Sequence, residues 1–313
     1  MSSAGTGPSL HHCPQESDGP GALGLGPSDA SATWHDGGVT DQAARYDRIA
    51  QGYERWWAPV LAPSAVGLLD RLDPLVVNGA RDLLDVGVGT GNLALTALER
   101  WPQTRVTGID ASGGMILAVE ALAARRLGEG DRGRLTATTA FAAELPFVDR
   151  SFDLAMSSFV LQLVPNRSQA LREIRRVLRP GATLGYVTWL KDKRAFAPDR
   201  IFDELLDEFG FDDKEPDARC GDVPSPARAV AELRRAGFSD ATAEATLLEY
   251  TFSVGGYISF LVEFDEESLF DEMATTERRR FLARLRERLT ALPADALTFR
   301  VPIVYAAGQR SDG

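Results

Sequence analysis

The chain has 313 residues, of which 44% are hydrophobic and 25% charged, a balance typical of a globular protein that buries a sizeable core. Its formal net charge of −11 disfavours a nucleic acid partner, because an acidic surface repels a phosphate backbone. No run of about 20 apolar residues occurs, so no membrane span is expected. The two cysteines, Cys13 and Cys220, are too few for a disulfide framework or a four-ligand zinc site, and we expect no metal.

Residues 1–40 are rich in Gly, Ser and Pro and show no periodicity, which predicts a disordered leader. All three histidines, His11, His12 and His35, fall in this stretch, so we expect neither a histidine base nor a histidine metal ligand in the folded part. The first Lys or Arg is Arg45, so the basic region of a secretory or mitochondrial signal is missing. A cytoplasmic location is therefore predicted.

A single domain is predicted over residues 41–313, and it begins with an aromatic helix. Over residues 43–61 the spacing puts Tyr46, Ile49, Tyr53 and the pair Trp56/Trp57 on one helical stripe, which predicts an N-terminal lid helix. Strand and helix patterns then alternate along the chain. The predicted strands are 83–87, 106–110, 135–140, 152–158, 182–190, 241–252 and 297–308. The predicted helices are 92–101, 112–126, 168–178, 198–211, 226–236, 257–273 and 277–289.

This alternation is typical of parallel βαβ units and predicts an α/β fold with a doubly wound sheet. Two segments interrupt the pattern near the last strands, at about 191–222 and 255–295. Both lie where strands meet loops, so we expect them to form helical caps over a pocket. No internal repeat is present.

The most specific motif runs from Asp85 to Gly91, between a predicted strand and a predicted helix. Gly87 allows a sharp turn, while Gly89 and Gly91 let the backbone approach a ligand without a β-carbon between them. Dinucleotide-binding loops read G-x-G-x-x-G/A, but the position that should be glycine here is Asn92. The carboxylate of Asp85 also suits an ammonium group better than a pyrophosphate.

The form G-x-G-x-G with a preceding acid resembles the class I S-adenosylmethionine (SAM)-dependent methyltransferases, and most closely their small-molecule branch of quinone, sterol and natural-product enzymes. The resemblance covers residues 43–190 and 233–238. Its further landmarks are Leu145-Pro146-Phe147, Asp149, Ser151-Phe152-Asp153, Ser157-Ser158-Phe159 and Leu178-Arg179-Pro180-Gly181. It implies a Rossmann-like, mostly parallel sheet of seven strands with an antiparallel last strand, and SAM as the cofactor.

Carried over residue by residue, the resemblance predicts a cofactor site at the glycine loop. Asp110 ends the second strand, where an acid accepts hydrogen bonds from ribose hydroxyls. The remaining predicted cofactor residues are Asp85, Gly87, Gly89, Gly91, Met115, Phe141, Ala142, Ser158, Tyr46 and Tyr53. The branch commonly has an aspartate for the adenine amino group where this chain has Phe141, so we expect stacking, the Ala142 N–H or Glu144 to hold the adenine instead.

The aromatic helix fits a cationic cofactor. A sulfonium offers no hydrogen-bond donor and is attracted to aromatic faces by roughly 0.5–2 kcal/mol each, which suits Tyr46 and Tyr53. Trp57, Gln162 and Trp189 are predicted to face the substrate, while no catalytic base is assigned.

The predicted reaction is transfer of a methyl group to an oxygen or carbon of a small molecule in secondary-metabolite or quinone-like biosynthesis. Methylation of a small amine, SAM binding without catalysis and a nicotinamide-dependent oxidoreductase stay open as alternatives. The oxidoreductase is the least favoured, because Asn92 and Asp85 both depart from the dinucleotide pattern.

Overall fold

The computed structural model describes residues 43–44, 46–47, 49–50, 52–191, 196–211 and 221–311. The predicted leader, with its three histidines, and both cysteines lie outside these ranges. A seven-stranded sheet forms the centre of the described part. Its strands are β1 (Asp82–Val86), β2 (Arg105–Asp110), β3 (Leu135–Thr139), β4 (Phe152–Ser158), β5 (Leu178–Trp189), β6 (Phe238–Thr251) and β7 (Thr298–Arg310).

The strand order is β3-β2-β1-β4-β5-β7-β6. The first five strands are parallel, and β7 lies antiparallel between β5 and β6. The predicted doubly wound, mostly parallel sheet with an antiparallel last strand is thus confirmed. The chain moves outwards from β1 to β3 and then returns to β4 on the other side of β1. Ligands of such sheets bind where the order reverses, at the carboxyl ends of β1 and β4.

The sequences of the central strands explain their position. Leu83 and Leu84 of β1 and Leu154 and Ala155 of β4 are fully buried, as expected for strands covered by helices on both faces. In β6, at the edge, most residues are at least partly exposed. The apolar run of a central strand and the mixed pattern of an edge strand therefore match the strand order.

Two helical layers cover the sheet. The described α-helices are α1 (Ala58–Val77), α2 (Asn92–Arg100), α3 (Gly113–Arg126), α4 (Glu129–Arg132), α5 (Arg167–Val177), α6 (Ala197–Phe209), α7 (Pro226–Arg235), α8 (Val254–Phe260), α9 (Glu267–Glu272) and α10 (Thr275–Thr290). One core contains Leu69 of α1 and Leu95 of α2, and the other contains Ile174 of α5 and Leu233 of α7. Ser225 caps α7, since its side chain accepts a hydrogen bond from the Arg228 N–H.

Two predicted helices differ from the structure. The aromatic helix does not end at residue 61: it passes through a π-helix at Tyr53–Trp57 and continues as α1 to Val77. The helix predicted over 257–273 consists of α8, a second π-helix at Leu261–Asp265 and α9. Hydrophobic spacing does not reveal a π-helix, because its wider turn shifts the buried face without interrupting the apolar pattern.

The second insertion packs on the N-terminal segment, which we define as residues 43–57. The Phe264 ring lies 6.3 Å from the Tyr53 ring, and Phe260 stacks on Trp57 at 5.7 Å. Arg55 forms an ion pair with Glu263 at 3.0 Å. No helix within the described ranges is both long and apolar enough to cross a membrane.

Candidate cofactor site

The glycine loop turns between β1 and α2 and is fixed to the end of β2. The N–H groups of Gly87 and Val88 both donate to the Ile109 carbonyl at 2.8 Å. Gly87, Gly89 and Gly91 have φ angles of +76°, +53° and +93°, in the left-handed region that side chains rarely adopt. The loop therefore requires glycine for its backbone conformation at all three positions.

The space around each glycine shows a further difference. A Cβ added at Gly87 would lie 2.2 Å from Cγ2 of Val160, and one added at Gly91 would lie 2.5 Å from Cγ2 of Val119. A Cβ added at Gly89 would meet nothing within 4 Å. Gly91 was expected to let the backbone approach a ligand. In the structure, the missing Cβ of Gly91 instead allows α2 to pack closely on α3. Of the three loop glycines, Gly89 is the one that borders open space on the side where a Cβ would lie.

A cavity of about 470 Å³ lies against this loop, at the switch between β1 and β4. Its volume is within the roughly 300–1,000 Å³ range of small-molecule sites. Most of the predicted cofactor residues line it. They are Gly87, Gly89, Asp110, Met115, Phe141, Ala142, Ser158, Tyr46 and Tyr53. Asp85 and Gly91 do not line it.

Among the described residues, Asp110 is one of two acidic residues that line the cavity, the other being Glu144. Its Oδ2 accepts a hydrogen bond from the Gly89 N–H at 2.9 Å, and its Oδ1 accepts one from the Ser112 N–H at 3.0 Å. Burial raises the pKa of this carboxyl above its ordinary value, and Asp47 adds to the rise, while the backbone N–H groups oppose it. The carboxylate is held in one orientation, and each oxygen keeps a lone pair for a ligand.

Asp85 lies behind the loop instead of facing the cavity. Its side chain is buried, and neither oxygen has a partner of good hydrogen-bond geometry, although the Ala94 N–H lies near enough to oppose part of the rise in its pKa. Burial raises the pKa of Asp85 well above its ordinary value, and the nearby Asp110 contributes in the same direction. Asp85 was expected to reach an ammonium group directly or through water. Because its side chain does not line the cavity, the structure does not support the direct contact, and the contact through water stays a prediction.

Aromatic rings of the N-terminal segment line another part of the wall. Tyr46 and Tyr53 pack edge to face with their centroids 6.1 Å apart. Burial, Tyr46 and Asp110 together raise the pKa of Tyr53 far above its ordinary value. The Tyr53 phenol therefore keeps its proton at neutral pH and offers a donor as well as an aromatic face.

Met115 and Phe141 flank the end of β2 and the end of β3. Met115 is buried in the first turn of α3, and Phe141 is 42% exposed although it lines the cavity. The Glu144 N–H donates to the Phe141 carbonyl at 3.0 Å, which forms a turn that also brings Ala142 and Glu144 to the wall. This exposed aromatic ring is available for stacking against a planar ligand.

The three predicted substrate residues do not line this cavity. Trp57 and Trp189 pack together at 6.4 Å, and Trp189 also lies 4.2 Å from Phe159. Gln162 accepts a hydrogen bond from the Thr188 hydroxyl at 2.7 Å. Trp189 is buried, and Trp57 is half-buried against Trp189 and Phe260, so neither ring borders this cavity. Their predicted contact with a substrate stays a prediction.

The described residues of the two insertions do not line the cavity either. Further wall residues were not among the predicted cofactor residues, and their importance depends on tertiary structure. Phe159 has φ of +54°, which is unusual for an aromatic residue, and it lines the cavity together with the loop 163–166. Ser112 lines it too, and it caps α3 by accepting a hydrogen bond from the Met115 N–H. A serine before a helical pattern was the one available signal.

The fold and this site together define a class I methyltransferase architecture, with its sheet order, glycine loop and acidic residue after β2. Residues 84–185 match the family described as methyltransferase domain. Over these residues the chain is similar to a methyltransferase domain, and its sheet order is that of the Rossmann-like methyltransferase fold.

Curated relatives with this domain are quinone methyltransferases. The ubiquinone/menaquinone biosynthesis C-methyltransferase UbiE of Paracoccus denitrificans is 34% identical over 170 residues, which are 49% of this chain and 62% of the relative. UbiE of Geotalea daltonii is 41% identical over 101 residues, or 32% of this chain and 41% of the relative. The chain thus spans less than two thirds of the length of either relative.

Solved structures share the fold. Phosphoethanolamine N-methyltransferase 2 of Haemonchus contortus, in complex with phosphomonomethylethanolamine and S-adenosylhomocysteine, superposes with a TM-score of 0.52 at 17% identity, covering 88% of this chain and 59% of that one. The YcgJ protein of Bacillus subtilis superposes with a TM-score of 0.51 at 18% identity, covering 80% of this chain and 99% of that one.

Proposed function

We propose that this protein is a SAM-dependent methyltransferase that transfers a methyl group to an oxygen or carbon of a small, quinone-like aromatic acceptor. The observation that carries the proposal is the open cradle at Gly89. Its missing Cβ borders the cavity, and its N–H fixes the carboxylate of Asp110 at the same wall. The UbiE relatives support the quinone-like class of acceptor.

The residues present fit an adenosyl cofactor. Asp110 would accept hydrogen bonds from the ribose hydroxyls, and Phe141 and Met115 would contact the adenine ring. Tyr46 and Tyr53 would turn aromatic surface towards a cation, which requires no anionic partner. When bound, SAM supplies an activated methyl group on a sulfonium.

The protein's own contribution is position and exclusion of water. Alignment of an acceptor with the methyl group lowers the barrier by several kcal/mol, within the ~7–11 kcal/mol that proximity supplies. Tyr53 holds its proton, so it serves as a hydrogen-bond donor and not as a base. The acceptor therefore reacts best as a phenolate or an electron-rich ring carbon, and its proton leaves to solvent or to a carboxylate.

The direct test is calorimetric titration of the protein with SAM, S-adenosylhomocysteine (SAH) and NAD, followed by transfer assays with radiolabelled SAM and a panel of hydroquinones, phenols and amines. We expect binding of SAM and SAH, no binding of NAD, and labelled product from a hydroquinone or phenol. Binding of NAD alone would exclude a methyltransferase. SAM binding without any labelled product across the panel would instead favour a non-catalytic SAM-binding protein.

The remaining parts of the proposal concern organisation and place. We propose that residues 41–313 act as one domain, with the N-terminal segment as its lid, and that the protein works in the cytoplasm. The UbiE relatives support an acceptor that is a small molecule, not a nucleic acid. Trp57, Gln162 and Trp189 support the cavity wall from behind in this proposal.

A further inference from the structure

A carboxylate outside the cavity joins the N-terminal segment to the first turn of α3. Oδ1 of Asp47 accepts a hydrogen bond from the Ser112 hydroxyl at 2.6 Å and a second from the Gly114 N–H at 2.7 Å. Asp47 itself does not line the cavity, but its neighbour Tyr46 does. The contact therefore fixes the position of a wall residue without contacting a ligand.

The two backbones also approach closely at this point. A Cβ added at Gly114 would lie 2.8 Å from the Asp47 Cα and 3.0 Å from its carbonyl oxygen. A Cβ added at the preceding Gly113 would have its nearest neighbour, the Thr139 hydroxyl oxygen, at 4.0 Å. Gly114, unlike Gly113, is thus required for the segment to rest on the helix.

Ser112 connects this contact to the cofactor wall. Its hydroxyl donates to Asp47 while its backbone N–H donates to Oδ1 of Asp110. The other oxygen of Asp110 accepts the hydrogen bond from Gly89. A continuous series of hydrogen bonds therefore runs from the N-terminal segment, through Ser112 at the start of α3, to the glycine loop. Each has a carboxylate as acceptor, and such hydrogen bonds are stronger than those between neutral groups.

We infer that Asp47 is a positioning residue that holds Tyr46 and Tyr53 over the cofactor and couples that position to Asp110. The inference rests on the proposed function. When only a fraction of the molecules has the arrangement that binds a ligand, the apparent affinity for that ligand is reduced by the same fraction. Loss of the Asp47 contact releases the part of the segment around Tyr46, while its later residues stay packed on the second insertion. The apparent affinity for the cofactor therefore falls while the sheet and its core remain intact.

An ion pair that also joins this segment to α3 does not replace the Asp47 contact. Arg125 and Glu54 meet at 2.6 Å, but the Arg125 side chain is 60% exposed, and exposed pairs contribute little. Asp47 combines two hydrogen bonds with the backbone approach at Gly114, which makes it the stronger anchor.

The first experiment uses the full chain with SAH as the probe in isothermal titration calorimetry. Asp47→Ala removes both hydrogen bonds and is expected to weaken SAH binding at least tenfold, the lower end of the roughly 10- to 150-fold range for a lost hydrogen bond to a charged acceptor. Asp47→Asn keeps an Oδ1 acceptor and should recover most of the affinity. Glu120→Gln, on the exposed face of the same helix, is the charge control and should bind as the wild type does.

The second experiment reaches the same contact from the other side. Gly114→Ala leaves the Asp47 carboxylate intact but pushes its backbone away, so it should weaken SAH binding to a similar extent. Gly113→Ala is the matched control, because its methyl group meets nothing closer than 4.0 Å. Thermal unfolding of each variant without ligand separates this effect from a loss of fold.

The outcomes are distinct. The inference is supported if Asp47→Ala and Gly114→Ala bind SAH more weakly than the wild type. Asp47→Asn should then recover most of the affinity, and Gly113→Ala should keep the wild-type affinity. The inference is overturned if Asp47→Ala and Gly114→Ala bind SAH with wild-type affinity, whether or not their unfolding temperature falls. The proposed function is unaffected by that result. Failure of the wild type itself to bind SAH overturns the proposed function and this inference with it.

Discussion

Replacing Gly89 by alanine separates the ligand-binding role of the glycine loop from its structural role. The added methyl group would meet no protein atom within 4 Å, so it does not disturb packing. The remaining cost to the fold is the positive φ of +53°, which for a residue with a Cβ is roughly 1–2 kcal/mol. The hydrogen bond from residue 89 to Oδ2 of Asp110 is donated by the backbone N–H of residue 89, so it is retained.

The methyl group does, however, enter the cavity. Adding a methylene-sized group to a well-packed site costs about 1–3 kcal/mol, which is on the order of 5- to 150-fold in Kd. We therefore expect Gly89→Ala to bind SAH at least tenfold more weakly than the wild type. Its free energy of unfolding should fall only by the roughly 1–2 kcal/mol that the positive φ costs. Calorimetric titration with SAH and urea unfolding measure the two quantities.

Two other glycines provide controls. Gly210, at the end of α6, has φ of +75° and also faces open space, but it lies away from the cavity. Gly210→Ala should therefore lower stability to a similar extent and leave SAH affinity unchanged. Gly91→Ala should lower stability more, because its methyl group would lie 2.5 Å from Cγ2 of Val119. If Gly89→Ala bound SAH with wild-type affinity, the cavity at Gly89 would not be the cofactor site.

Three further predictions follow from single groups. Asp85→Asn should stabilise the ligand-free protein, and more at pH 8 than at pH 5. Because the folded pKa of Asp85 is raised, the stability associated with its neutral form is fully present below about pH 3.8 and is lost as the pH rises through the folded value. Thermal unfolding at both pH values checks this, and a pH-independent difference would contradict it. Asp153→Ala removes the acceptor for the N–H groups of Arg81 and Asp82, both at 2.9 Å, and should lower the free energy of unfolding by about 1–3 kcal/mol in urea without changing SAH affinity. Phe141→Ala should weaken SAH binding roughly 2- to 10-fold, as expected for loss of one aromatic stacking partner, with little change in unfolding temperature since the ring is 42% exposed. Equal SAH affinity in this variant would show that Phe141 does not stack on the ligand.

Hydrophobic periodicity was sufficient to predict the seven strands and most of the helices. The apolar runs around Leu83 and Leu154 distinguish buried parallel strands, and the Ser225-Pro226 pair marks a helix start, because these signals are local. The two π-helices were not predictable. Tyr53–Trp57 and Leu261–Asp265 face each other across a tertiary contact, and their apolar spacing matches that of ordinary helices.

The residues of the candidate site also fall into those that the sequence could predict and those that it could not. Gly87, Gly89 and Asp110 were predictable, because a strand, a tight turn and the end of the next strand occupy fixed places in a βαβ unit. The positions of Trp57 and Trp189 were not predictable, since an aromatic side chain at the end of a helix or strand can pack inwards or line a cavity with the same sequence pattern. The neighbours that decide it, Phe159 and Phe260, come from distant parts of the chain.

The sequence by itself determined the parallel sheet, the glycine loop and the acid that follows the second strand, because each depends on residues close together in the chain. Only the tertiary structure decided which glycine borders the cavity and how Asp47 meets Gly114. Those contacts join residues that lie far apart in the sequence, and their distances are set by the packing of whole helices and strands on one another.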